Sequence, residues 1–311
     1  MLVRICFACL LVLLLVRCAP AQDVDAIQLL TDVKILAADS LEGRQAGSEG
    51  ASKARRYLQT RLAHIGVSPV DSEYVEVVGP YAQPFTFEGG DGEVQGVNLI
   101  SKIEGIAVPD SFMVLTAHYD HVGVQNGDIY NGADDNASGT AAVLALAAYF
   151  KEHPPRHSMI IALLDAEEMG LRGATAITQF PPVPTSQMVL NVNLDMVSRN
   201  TDDELYAAGT AHYPFLKPAL EDVAERSKIH LLFGHDGNEG DDWTMASDHG
   251  RFHQAGIPFV YFGVEDHADY HQASDEYVRI DPAFYIRATE TILDAVRTLD
   301  AFLGADPEES K

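Results

Sequence analysis

Cysteine is nearly absent from this 311-residue chain, and the three it has, Cys6, Cys9 and Cys18, all lie at its very start. Beyond them there is no thiolate nucleophile, no thiolate metal ligand and no disulfide framework, which excludes cysteine proteases and zinc fingers. Cations are scarce as well: 21 Lys and Arg stand against 46 Asp and Glu, a formal charge of −25. Such a surface repels phosphate backbones and anionic lipids, so nucleic-acid and anionic-membrane binding are excluded. Long hydrophobic runs are confined to ICFACLLVLLLV, residues 5–16, which is short for a membrane span. Internal repeats are missing too. What is present, 47% hydrophobic residues over this length, suffices for one large core.

Residues 1–21 read as a targeting segment. Arg4 precedes the apolar run, and Ala19-Pro20-Ala21 places small residues at a cleavage site before Gln22. Cleavage there leaves residues 22–311 as a single domain with no cysteine and no membrane span, exported to the periplasm or secreted. One alternative is a lipoprotein anchored through Cys18, to which Arg17 is a poor fit because a small residue usually precedes an acylated cysteine; the other is an uncleaved membrane anchor, for which the run is short.

Residues 23–38 and 48–65 have the spacing of amphipathic helices, joined by the turn-rich ADSLEGRQAGSEG. VDSEYVEVV, QPFTFE and GVNLISKIEG follow as strands, with hairpin pairing expected near a sheet edge. From residue 112 strand and helix alternate, the pattern of an α/β domain with parallel strands. ASGTAAVLALAAYF and PAFYIRATETILDAVRTLDAFL read as helices, and the tail GADPEESK as frayed. The polar run FGHDGNEGDDWTMASDHGRF has two readings: a substrate-facing loop in which Trp243 and Met245 offer apolar contacts, or an acidic surface loop anchored by its tryptophan.

Within that alternation the apolar runs share a grammar. FMVLTAH ends in His118, SMIIALLDAEE in Glu167 and Glu168, MVLNVNLD in Asp195, and IPFVYF leads through a loop to His271. Asp135 stands in NGADDNASG between the first two. Polar residues just past the carboxyl ends of buried parallel strands converge on one edge of the sheet. His118, Asp135, Glu168, Asp195 and His271 supply enough nitrogen and oxygen ligands for two zinc ions with one carboxylate shared. Glu167 stands beside a ligand, free to act as a base, and Asp120 is placed to accept the second N–H of His118.

These motifs resemble the co-catalytic zinc aminopeptidase family that includes bacterial leucyl aminopeptidases, glutamate carboxypeptidase II and the transferrin receptor ectodomain, over roughly residues 95 to 300. The resemblance implies a three-layer α/β/α sandwich with a mixed, largely parallel central sheet, as in zinc-dependent exopeptidases. It implies that His118 and Asp195 hold one Zn2+, Glu168 and His271 the other, and Asp135 bridges them. Glu167 would be the catalytic base toward a metal-bridging hydroxide, and Tyr270 either an oxyanion donor or a packed core tyrosine. A cis peptide after Asp135 is a further family expectation, and LEGRQAGSEG resembles a segment at the active-site edge of relatives. Asp248 and His249 fall near the substrate pocket by the same likeness. The family pattern passes over His121 and Asp134, and reads His235, His253 and His267 as loop residues. Asp275 or Glu276 would orient His271. Too few positions separate Asp195 from His271 for the inserted dimerisation domain of related deacylases. The implied activity is an exported aminopeptidase acting on peptides. The alternatives are a dipeptidase, carboxypeptidase or other amide hydrolase on the same site, or a weakly active zinc- or peptide-binding protein.

Overall fold

The computed structural model describes residues 23–70, 79–90, 92–237 and 240–303. The leader, the tail and all but the first residue of VDSEYVEVV lie outside the described residues.

The amino-terminal helices begin where the sequence offers caps. Asp25 accepts from the amides of Ile27 and Gln28 at the start of α1 (Ala26–Leu36). Ser48 accepts from Ala51 at the start of α2 (Glu49–Ile65), which closes on Gly66 in the left-handed region. Then come β1 (Ser68–Pro69), β2 (Ala82–Gly89), β3 (Gly92–Ile103) and β4 (Val108–His118). A small hairpin of β5 (Gly123–Gln125) and β6 (Asp128–Tyr130) follows, then α3 (Gly139–Glu152) and β7 (His157–Leu164). The remainder is α4 (Arg172–Gln179), β8 (Met188–Leu194), β9 (Glu204–Ala208), α5 (Lys217–Arg226), β10 (His230–Phe233), α6 (His249–Gln254), β11 (Phe259–Gly263) and α7 (Pro282–Leu303).

Nine strands form one sheet in the order β1-β3-β7-β4-β8-β11-β9-β10, with β2 paired to β3. The centre, β7-β4-β8-β11, is parallel throughout. β2 and β3 form the antiparallel edge expected from the sequence. The β9–β10 pair is parallel within itself but antiparallel to β11. The two short strands β9 and β10 carry no distinctive pattern and were not among the sequence expectations.

All eight residues of β7 are buried, and they divide by alternation. Met159, Ile161 and Leu163 enter one core with Leu29, Leu58, Leu144 and Leu293 from α1, α2, α3 and α7. Ile160, Ala162 and Leu164 enter a second core with Ile177 and Phe252 from α4 and α6. Period-two strands feeding separate cores on both faces make three layers, α/β/α. This explains why the central strands read as continuous apolar runs: neither face meets water. Among the described residues no helix is long and apolar enough to cross a membrane.

Candidate metal centre

The parallel strands β4, β7, β8 and β11 end together, and the loops beyond them meet. Asp135 sits at the centre. Its Oδ1 is 3.4 Å from Nε2 of His118, whose same nitrogen is 3.3 Å from Oδ1 of Asp195. Its Oδ2 is 3.1 Å from Nε2 of His271, which is also 3.2 Å from Oε2 of Glu168. The structure therefore brings all five residues together, with one carboxylate turned toward both sets. The Asp135–Asn136 peptide is cis.

The backbone around these residues is held from behind. Asp120 accepts from the amides of Glu167 (3.0 Å) and Glu168 (3.3 Å), while its Oδ1 lies 3.5 Å from Nδ1 of His118. One carboxylate thus ties the loop after β4 to the loop after β7. Asp275 is engaged differently from the expectation that it orients His271: it accepts from the amides of Asp134 and Asp135. Glu276 accepts from Asn131. The turn that presents Asp135 has free amides that need acceptors, and these carboxylates meet that need. Asp134 accepts from the Ser198 amide and hydroxyl and pairs with His267 at 2.9 Å, so both are structural ties between loops.

Arg44 escaped the sequence reading as an individual residue. It is fully buried and donates to the carbonyls of Leu36, Tyr119, Asn131 and Gly132, between 2.5 and 3.0 Å. Burial pulls its guanidinium down to about 10, against the attraction of Asp120 and Asp135, so it stays charged at neutral pH. It clamps the His118–His121 segment to the Asp135 turn. The signal was an arginine among glycines in LEGRQAGSEG. Gly43 beside it has φ +65, and a Cβ there would fall 2.3 Å from the Tyr130 carbonyl.

His121 is the other addition. Its buried Nδ1 lies 2.7 Å from Oε1 of Glu168 and 3.8 Å from Oδ2 of Asp135. Among the described residues, both of its ring nitrogens and Glu168 Oε1 lack a hydrogen-bond partner. The donor atoms of His118, Asp135 and Asp195, and those of His121, Asp135 and Glu168, form two groups, each within 4.8 Å. Buried imidazole and carboxylate atoms that face one another without hydrogen-bond partners fit bound cations. Imidazole and carboxylate together suit zinc.

The charges are unusually concentrated. Hydrogen bonds with Asp135 and then Glu168 push the His271 imidazole up to about 10. Burial pushes Glu167 well above the usual carboxylate range; His118 opposes this and Asp248 adds to it. Asp248, wholly buried with both carboxylate oxygens unpartnered, is pushed up to about 7 by burial. Tyr270 stacks on His271 with centroids 4.0 Å apart. Burial and then the charge of Asp135 keep its hydroxyl protonated.

The polar run after β10 borders this site. Trp243 is buried, stacked on His235 at 3.8 Å and edge-on to Tyr261 at 5.8 Å. Tyr261 in turn donates to the Asp195 carbonyl. His249 stacks on Tyr261 and its Nε2 donates to the Trp243 carbonyl at 2.8 Å. Trp243 is thus the buried anchor of this loop; His253 bonds the Tyr213 hydroxyl, and His235 faces Glu265.

Residues 98–296 match the sequence profile described as peptidase family M28. The chain is 30% identical over 174 residues to the aminopeptidase YwaD of Bacillus subtilis, covering 54% of this chain and 35% of that protein. It spans between 15% and 36% of the length of the curated relatives it matches. Among solved structures it resembles a glutaminyl cyclase of Porphyromonas gingivalis (TM-score 0.73, 20% identity, 89% and 99% of the two chains). It also resembles a zinc aminopeptidase of Bacillus subtilis (TM-score 0.67, 18% identity, 87% and 94%). At those identities the likeness establishes the fold, a mixed, largely parallel sheet between helices.

Proposed function

The chain belongs to peptidase family M28, and from that premise we propose that it is a di-zinc exopeptidase removing amino-terminal residues from peptides. The observation that carries the reading is Asp135, whose two carboxylate oxygens face His118 on one side and His271 on the other. His118 and Asp195 would hold one ion, Glu168 and His271 the second, with Asp135 between them. When bound, such a pair acidifies a water and polarises the scissile carbonyl.

The chain's own residues supply the rest. Glu167, partly buried and raised in basicity by its surroundings, would take the proton of the attacking water and return it to the leaving amine. Asp120 fixes where that carboxylate stands by holding its amide. Tyr270, protonated and stacked on His271, would donate toward the developing oxyanion. The Trp243 loop would form the wall of the side-chain pocket. Export is proposed from the leader pattern, and fractionation of the producing cell tests it.

The activity is tested with aminoacyl-p-nitroanilides, their N-acetylated counterparts and a chelator control. Chelator-sensitive cleavage of the free-amine substrates alone is the expected result. Cleavage that tolerates acetylation, or no cleavage by protein carrying two zinc ions, would replace aminopeptidase by a dipeptidase, carboxypeptidase or binding role.

A further inference from the structure

The geometry points to His121 as a third imidazole of the metal centre, ligating through Nδ1 the ion that Asp135, Glu168 and His271 hold; this rests on the metal reading above. The neighbouring donor contacts on that side are 2.7 Å (His121–Glu168), 3.8 Å (His121–Asp135), 3.1 Å (His271–Asp135) and 3.2 Å (His271–Glu168). Ligands about 2.0–2.1 Å from a tetrahedral zinc stand roughly 3.3 Å apart, so the four contacts bracket the expected edge.

A simple hydrogen bond does not account for His121. Its 2.7 Å approach to Glu168 is within hydrogen-bonding distance, yet the atoms lack a hydrogen bond's alignment, and among the described residues Nδ1, Nε2 and Glu168 Oε1 are all left unpartnered. Two donors that face a common point instead of each other behave as co-ligands. The ring is also built in. His121 is 1% exposed, and Gly132 makes room for it: a Cβ at Gly132 would fall 2.5 Å from Cγ of His121.

The consequence is an unequal pair. One position has two imidazoles and two carboxylates, a closed four-ligand set that favours zinc. The other has His118, Asp195 and the shared Asp135, a three-ligand, oxygen-rich set that leaves room for substrate and accepts manganese or cobalt more readily.

X-ray absorption on the zinc-loaded wild type counts the imidazoles without mutation. The expected result is about 1.5 per zinc, three over two ions, against about one if His121 does not ligate. In parallel, His121→Gln should weaken one equivalent in a cobalt titration by at least about tenfold, the loss that even outer-sphere partners cause, and leave the other unchanged. A count near one in the wild type overturns the assignment, whether or not the variant folds. A folded variant with both equivalents at wild-type affinity overturns it as well. If the wild type takes up a single equivalent, the two-metal reading fails, and that ion's imidazole count, two or one, decides His121 separately. No uptake overturns both.

Discussion

Two buried histidine–carboxylate pairs lie toward opposite ends of β7, at almost the same separation and with opposite meaning. At its start, His157 Nδ1 is 2.8 Å from Asp300, whose two oxygens also accept the amides of Arg156 and His157. Beyond its end, His121 Nδ1 is 2.7 Å from Glu168, and neither facing atom has a hydrogen bond. Distance and burial do not separate the two. Satisfaction does: a pair whose facing atoms are hydrogen-bonded is a structural tie, whereas a pair whose facing atoms are not has been kept open for something else.

The largest way to break this comparison is at the open end. Asp135→Ala removes the carboxylate shared by both donor groups, so metal content and activity should fall together. The loss should exceed the roughly 10²–10⁴-fold expected from losing a general base alone. Metal analysis of the purified variant beside its kcat/KM checks this. Glu167→Gln comes next, with kcat lower by about 10²–10⁴-fold and metal content unchanged, because it removes a base and no ligand. A fully active Glu167→Gln enzyme would reassign the base.

Breaking the satisfied end should do the reverse. Asp300→Ala strands two amides and an imidazole, each at about 1–3 kcal/mol. Denaturant unfolding should show a loss of several kcal/mol, while kcat/KM of the folded enzyme stays near wild type. If activity falls while stability holds, the distinction between the two ends is lost.

The smallest effect sharpens the intermediate case, His249, which is satisfied on Nε2 alone. Burial pulls its imidazole down to about 3. Below about pH 6.5 the unfolded chain binds a proton that the folded one refuses, so stability is full above that pH. It is then lost as pH falls toward the folded value, by at most about 1.4 kcal/mol per pH unit. Wild type and His249→Phe compared by thermal melts from pH 7.5 to 4.5 should differ in slope, the variant being flatter. Equal slopes would mean that His249 charges without cost.

Much of the fold was legible because burial on both faces leaves an unmistakable trace. The runs before His118 and Glu167 are almost continuously apolar, and the helices α1, α2 and α7 fall where the spacing of apolar residues placed them. β9 and β10 were not legible, because four or five residues at a sheet margin carry little pattern of their own. Within the site, His118, Glu168 and Asp195 could be picked out because each ends an apolar run, and Asp135 and His271 because their loop motifs complete the pattern. The partners of Asp275 and the clamp made by Arg44 could not: both act on backbone groups of segments some 90 to 140 positions away.

The sequence by itself determined which chemistry this protein can have. It lacks cysteine beyond residue 18, is strongly acidic, and places imidazoles and carboxylates after parallel strands, where chain direction alone brings them to one edge. Only the tertiary structure decided which of the neighbouring polar residues face that edge. Asp134 turns back to Ser198 and His267, whereas Asp135 turns in. His121 turns in beside Glu168 because Gly132 leaves space for its ring. The facing of a loop side chain is set by which backbone groups must be hydrogen-bonded around it, and those belong to other parts of the chain.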